Sequence, residues 1–341
     1  MIKRWLASLV VVGFVLVMAG HFYLQWWITQ PLGLKQEATI QVPAGQSLIA
    51  LANRLEAQGV LEAKLWLIYA RLNGRTAIKA GEYEIEPALS RLALLEKLIA
   101  GDVVQYRAQI LEGWTYAQTL DYLQSLDYLQ IKLSGLSWQA QRQLLGMEWA
   151  AHPEGWFFPD TYHYQRGDSD VNILVQAHNK QATLLDQLWE DRAPDLPYQS
   201  PYEALIMASI VEKETAIDAE REEIAGVFVR RLKKNMRLQT DPTVIYGMGS
   251  RYQGNLRKKD LQTATPYNTY VIKGLPPTPI ALAGARSLYA ALHPDAGSSL
   301  YFVAKGDGYH QFSDTLEEHN RAVKNYQLKR KADYRSVPKN P

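Results

Sequence analysis

Residues 202–241 read YEALIMASIVEKETAIDAEREEIAGVFVRRLKKNMRLQTD. Ala204–Val211 is an apolar run rich in helix formers, and Pro201 stands just before it, where proline favours the first turn. A helix apolar on every side is a buried helix. Glu212 and Glu214 follow directly, so a buried element delivers carboxyl groups at its C-terminal end. The helix C-terminus carries partial negative charge, and burial disfavours an ionised carboxylate. Both effects favour a protonated acid, the form a general acid needs. The plainer reading is an acidic helix end paired with Lys213 or Arg221.

Upstream of this helix, Trp5–Ile28 is apolar apart from Ser8, His21 and Gln25, and follows Lys3 and Arg4. That length spans a bilayer, and Phe22, Tyr23, Trp26 and Trp27 fit an interfacial belt. The basic flank predicts a cytoplasmic N-terminus, with everything after about Thr29 outside the membrane. A cleaved signal peptide competes, but Ala19-Gly20-His21 is a poor cleavage site. Residues 29–37 read as a linker.

Residues 38–110 show a βααβαβ pattern: strand Ala38–Val42, helices Ser47–Gln58 and Leu65–Leu72, strand Gly81–Ile85, helix Leu92–Ile99 and a strand near Val103–Ile110. This small domain resembles a LysM-like module, with a packing or spacer role as the alternative. Residues 111–200 read as a mainly helical connecting region, including Val171–Arg192. They carry the aromatic island Glu154-Gly-Trp-Phe-Phe-Pro-Asp-Thr-Tyr162, a core plug beside a turn. Residues 201–330 form the catalytic domain in this reading. There, helix Ala219–Leu232 leads to an extended polar segment from Met236, and strand Ser299–Ala304 to a hairpin and a last helix, Thr315–Tyr326. Residues 331–341 read as a frayed tail. The fold class is α+β.

Composition narrows the chemistry. A net charge of +2 with no long Lys/Arg block argues against a nucleic-acid partner. The absence of cysteine excludes thiolate metal sites, thiol nucleophiles and disulfides. The seven histidines show no metal-binding spacing, and no phosphate-binding glycine loop or serine elbow appears, so no cofactor is expected. Acid catalysis by a carboxylate survives. Gln239, Thr240, Asp241, Tyr246, Tyr267, Asn268 and Tyr270 crowd the region after the acids. Amides and hydroxyls for sugar hydroxyls, with rings for apolar sugar faces, would suit a polysaccharide cleft. Singly, each is as well read as a loop residue satisfying its own backbone.

Several segments together resemble the MltG (YceG-like) family of membrane-anchored endolytic lytic transglycosylases. They are Glu154–Tyr162, Ala208-Ser-Ile-Val-Glu-Lys-Glu-Thr215, Arg237-Leu-Gln-Thr-Asp-Pro-Thr-Val-Ile-Tyr246, Tyr267-Asn-Thr-Tyr270, Gly274-Leu-Pro-Pro277 and Tyr301-Phe-Val-Ala304. Thr278-Pro279 departs from the family pattern, where a small residue is expected. The resemblance implies a lysozyme-like catalytic domain and puts the catalytic acid on Glu214. Spacing alone does not separate it from Glu212, since two residues on a helix point about 200° apart. It further implies cleavage of the MurNAc-β-1,4-GlcNAc bond of nascent peptidoglycan strands, a 1,6-anhydroMurNAc end and a part in ending glycan elongation. Substrate contacts are expected from Gln239, Asn268, Tyr246, Tyr270 and Asp241. A single-pass inner-membrane anchor, a periplasmic catalytic domain and peptidoglycan synthases as partners complete the picture. The rival readings are a hydrolytic muramidase, with Asp241 or Glu220 as second carboxylate, and a non-catalytic protein binding the wall or divisome.

Overall fold

The structure, a computed structural model, describes residues 2–328. The tail at 331–341 lies outside the described residues. The architecture is mixed α+β, with an apolar N-terminal helix and three two-stranded sheets among the described residues. The described residues divide into two compact units: 2–106 with 163–168, and 107–162 with 169–328.

The first unit opens with α1 (Ile2–Ile28), the one described helix long and apolar enough to cross a membrane. Its last turns are buried: Leu24, Trp27 and Ile28 join one core with Leu51, Leu55, Trp66, Tyr83 and Leu98. Then come β1 (Ala38–Val42), α2 (Leu48–Ala57), α3 (Ala63–Leu72), β2 (Gly81–Ile85) and α4 (Arg91–Ala100). Ser47 and Ser90 start α2 and α4 by accepting hydrogen bonds from the N–H groups of Ala50 and Ala93, which those termini would otherwise leave unpaired. β1 and β2 pair antiparallel from Ala38 opposite Ile85 to Val42 opposite Gly81, which turns Ile40, Val42, Tyr83 and Ile85 into the core. The Arg91 guanidinium lies 4.5 Å from the Trp27 ring centroid and donates to the Pro31 carbonyl at 2.9 Å, fixing the helix exit.

β3 (Tyr106–Gln109) leads into the second unit, with α5 (Tyr116–Gln124), α6 (Trp138–Leu144) and α7 (Asp170–Glu190); the chain passes from the second unit back to the first within β4 (Thr161–Tyr164). Next are α8 (Pro201–Glu214), α9 (Asp218–Lys233), α10 (Asp241–Met248), α11 (Lys258–Gln262) and α12 (Ala285–Leu292). The hairpin β5 (Tyr301–Ala304)–β6 (His310–Ser313) and α13 (Leu316–Tyr326) close the fold. α8 is the axis of this unit. Ser200 caps it, Pro201 opens it, and every residue from Ala204 to Val211 is buried against α7, α9, α10 and α12. The Ser209 hydroxyl donates to the Ile206 carbonyl at 2.7 Å and accepts from the Ile280 N–H at 3.0 Å, so the one polar residue of the run holds a neighbouring loop.

One detail differs from the sequence reading. The polar segment after α9 is extended only as far as Thr240; Asp241 begins α10, because Pro242 presets helical φ in its first turn. Pro279, where a small residue was expected, packs against the aromatic island. Gly155 has φ +84°, and a Cβ there would fall 2.5 Å from the Pro279 ring, so the proline fills the space a bare glycine leaves. In the same island Phe157 is fully buried, and Trp156 stacks on Tyr202 of α8 at 5.0 Å.

Candidate active site

The two acids of α8 have opposite environments. Glu212 accepts from the Gly284 N–H at 3.0 Å and lies 3.7 Å from Arg221 in a buried ion pair. Its carboxylate is held by that pair, at the edge of the hollow of about 450 Å³ that Glu214 also borders. Glu214 is the last residue of α8, and the extended backbone of Thr215 (φ −146°, ψ 142°) stops the helix there. Its carboxyl group borders a cleft of about 520 Å³ lined by Gln239, Thr240, Asp241 and Tyr270 on one side and by Tyr301, His310 and His319 on the other. It also borders a second hollow of about 450 Å³, with Glu112, Lys213 and Arg221. The acid therefore sits between two open spaces.

Its electrostatics follow from this placement. Burial pushes the Glu214 carboxyl up to about 7, and the negative charge of Asp241 adds to the rise. The hydrogen bond from the Thr240 hydroxyl and the positive charge of Arg231 pull the other way. Glu214 is half-buried at the border of the cleft. Thr240 engages Oε1; Oε2 has no hydrogen bond among the described residues. Thr240 is itself locked: its N–H donates to the Thr269 hydroxyl at 3.1 Å, and its carbonyl accepts from Thr243 at 2.8 Å.

Arg231, buried on α9, ties the cleft walls together. It donates to the carbonyls of Leu300 (2.6 Å) and Leu238 (2.8 Å), and its guanidinium lies 5.0 Å from the Tyr301 centroid. One side chain thus joins the residue leading into the β5–β6 hairpin to the segment carrying Gln239–Asp241.

The other residues singled out from sequence separate into two groups. Gln239, Asp241 and Tyr270 line the cleft with Glu214. Gln239 adopts φ +54°, held by its N–H donating to the Thr269 carbonyl at 3.1 Å, and the Tyr270 hydroxyl donates to Asp241 at 2.6 Å. Asn268 and Tyr246 are not among the cleft residues. Asn268 is fully buried, its amide nitrogen donating to the carbonyls of Asp260, Leu261 and Thr263 and its oxygen accepting from the Tyr270 N–H. The substrate contact expected there gives way to a loop clamp, because no polar atom of the side chain is left unspent. The Tyr246 hydroxyl donates to Glu154 at 3.1 Å, and Glu154 also accepts from the Tyr116 N–H at 2.8 Å. Burial pushes the Glu154 carboxyl up to about 7 as well. Glu220 has both oxygens on His310, each at 2.8 Å.

Sequence reasoning passed over Arg231 and did not single out Thr240 among its polar neighbours. Thr240 does stand directly beside Gln239 and Asp241, which was the available signal. Arg231 lies within a basic run, RRLKK, that reads as a solvated face, and only packing reveals it as buried.

The sequence model of the YceG-like family matches residues 40–325. The chain belongs to the YceG-like family. An endolytic murein transglycosylase of Bacillus subtilis (strain 168) is 32% identical over 91% of this chain and 91% of its own length. One from Streptococcus pneumoniae (strain ATCC BAA-255 / R6) is 26% identical over 94% of this chain, which spans 65% of that protein's length. The crystal structure of a yceG-like protein from Listeria monocytogenes, 34% identical, aligns with a TM-score of 0.51 over 84% of this chain and 99% of its own. The sequence's expectation of a lytic transglycosylase agrees with the names of the B. subtilis and S. pneumoniae relatives.

Proposed function

We propose that this protein is a membrane-anchored endolytic murein transglycosylase with Glu214 as its single catalytic acid and base. The observation that carries the reading is a carboxyl held near neutrality at the junction of two hollows. A polymer cut within its length must extend to both sides of the acid, and two adjoining spaces suit that. A group titrating near 7 both gives and takes a proton readily at neutral pH.

The steps follow from that group. With Oε1 engaged by Thr240, the transferable proton resides on Oε2 and passes to the glycosidic oxygen as the MurNAc–GlcNAc bond breaks through an oxocarbenium-like state. The carboxylate so formed then removes the proton from the C6 hydroxyl of the same MurNAc, whose oxygen closes on C1 to give the 1,6-anhydro ring. The nucleophile belongs to the substrate, so positioning replaces activation of water. Gln239, Tyr270 and Asp241 contact the sugar in this reading. The βααβ order of β1, α2, α3 and β2 supports a LysM-like module, and the helices around α8 a lysozyme-like catalytic part. Helix α1 is the anchor, with the remainder periplasmic beside peptidoglycan synthases.

The hydrolytic alternative needs a second carboxylate to activate water. Glu220 is committed to His310, which leaves Asp241 as that rival's candidate. Mass spectrometry of the products from uncrosslinked glycan strands decides: anhydro ends support the proposal, and hydrated reducing ends overturn it.

A further inference from the structure

Beyond the cleft, α10 leads to a separate cavity of about 210 Å³ in the second unit. Its lining includes Met248, Arg251, Lys259, Asp260, Thr263 and Thr265. Arg251 and Lys259 bring two positive charges to it, and neither forms an ion pair among the described residues. Arg251 spends one N–H on the Met248 carbonyl at 3.4 Å, as expected beside a helix C-terminus, and the rest of its guanidinium fork makes no hydrogen bond among the described residues. The single acid of the lining, Asp260, accepts from the Arg257 N–H at 2.8 Å. Asn268, which also borders the cavity, spends its amide nitrogen on loop carbonyls and its oxygen on the Tyr270 N–H, and the Thr265 hydroxyl makes no hydrogen bond among the described residues. Two cations and a free hydroxyl therefore converge on a concave space with one partly engaged carboxylate to balance them. That arrangement suits an anionic group, and paired cations hold carboxylates through charge-assisted hydrogen bonds.

We infer that this cavity receives a carboxylate of the stem peptide borne by the murein strand. The inference rests on the proposed function. N-acetylated sugars are uncharged, and the lactyl carboxyl of MurNAc is spent in its amide bond to the peptide. The anions of murein are thus on its peptides. Asp241 at one end of α10 borders the Glu214 cleft and Met248 at the other borders this cavity, roughly 10 Å away along the helix. A peptide branching from a sugar in the cleft spans that distance. A stem peptide recurs along the strand, so an enzyme cutting internally meets one wherever it binds, whereas the diphosphate of a lipid-linked strand occurs only at its end.

The test uses the full-length Glu214→Gln protein in detergent, so that binding is read without cleavage. Uncrosslinked strands bearing stem peptides are compared with the same strands stripped by an amidase, whose freed lactyl carboxylate stays on the sugar itself, and with peptide-bearing strands whose carboxylates have been amidated. Peptide-bearing strands should bind about tenfold more tightly than either of the others. Adding Arg251→Ala and Lys259→Ala should remove that advantage while leaving stripped strands unaffected, and Arg251→Lys with Lys259→Arg should retain most of it. Equal loss on both strand types, no effect of amidation, or competition by inorganic diphosphate but not by peptide overturns the inference. Cleavage by the protein with Glu214 intact is scored separately: failure to cut any strand defeats the proposed function, while the binding series still decides the cavity.

Discussion

At the scale of single residues, the behaviour of Glu214 follows from its surroundings. In the proposed reaction its protonated form acts first, so kcat/KM should fall as pH rises through about 7, and Glu214→Gln should lower kcat by at least about 10²-fold. The same group costs stability. Its native pKa lies above the usual 4.5, so the native state binds more protons than the unfolded chain between those values and stability declines across that window. Glu214→Gln should therefore melt above the wild type at pH 8, with the gap closing below about pH 4.5; calorimetry across that range checks the sign. Thr240→Val removes the donor to Oε1 and so raises the acid further; the falling limb of the pH–rate profile should move upward, and Thr240→Ser should restore it. Glu212→Gln is a contrast: it disrupts a buried pair with Arg221 and should lower thermal stability while leaving the pH profile in place.

At the scale of elements, α8 was legible from sequence because its pattern is local: a proline start, a run of apolar helix formers and acids at the end. The segment after α9 was less so. Its polar residues look alike in sequence, yet the fold sends Gln239, Asp241 and Tyr270 to the cleft and spends Asn268 and Tyr246 on the scaffold. Which neighbours a side chain meets depends on contacts distant in sequence: Tyr246 and Glu154 are 92 residues apart. Tyr246→Phe should leave Glu154 short of a donor and cost about 1–3 kcal/mol of stability with little change in kcat, measurable by denaturant unfolding beside steady-state rates. Asn268→Ala should lower stability and activity together, because the loop it clamps also presents Tyr270.

At the scale of the whole molecule, the first unit shows that α1 belongs to the fold as well as to any membrane. Leu24, Trp27 and Ile28 are core residues, and Arg91 lies on Trp27. A chain starting at Tyr23 should fold, whereas one starting at Pro31 loses three buried side chains and should melt well below it; thermal denaturation of the two compares them directly.

The sequence by itself determined the apolar N-terminal helix, the buried α8 with acids at its end, the absence of thiol chemistry and the family resemblance, since each rests on residue type and short-range order. The resemblance pointed to Glu214, but only the tertiary structure gave Glu214 and Glu212 their different surroundings, brought Thr240 and Arg231 to the acid, and withdrew Asn268 and Tyr246 from the cleft. The physical reason is that burial and charge at a site are sums over neighbours from distant parts of the chain. A carboxyl two residues from another has the same local sequence and an unrelated set of those neighbours.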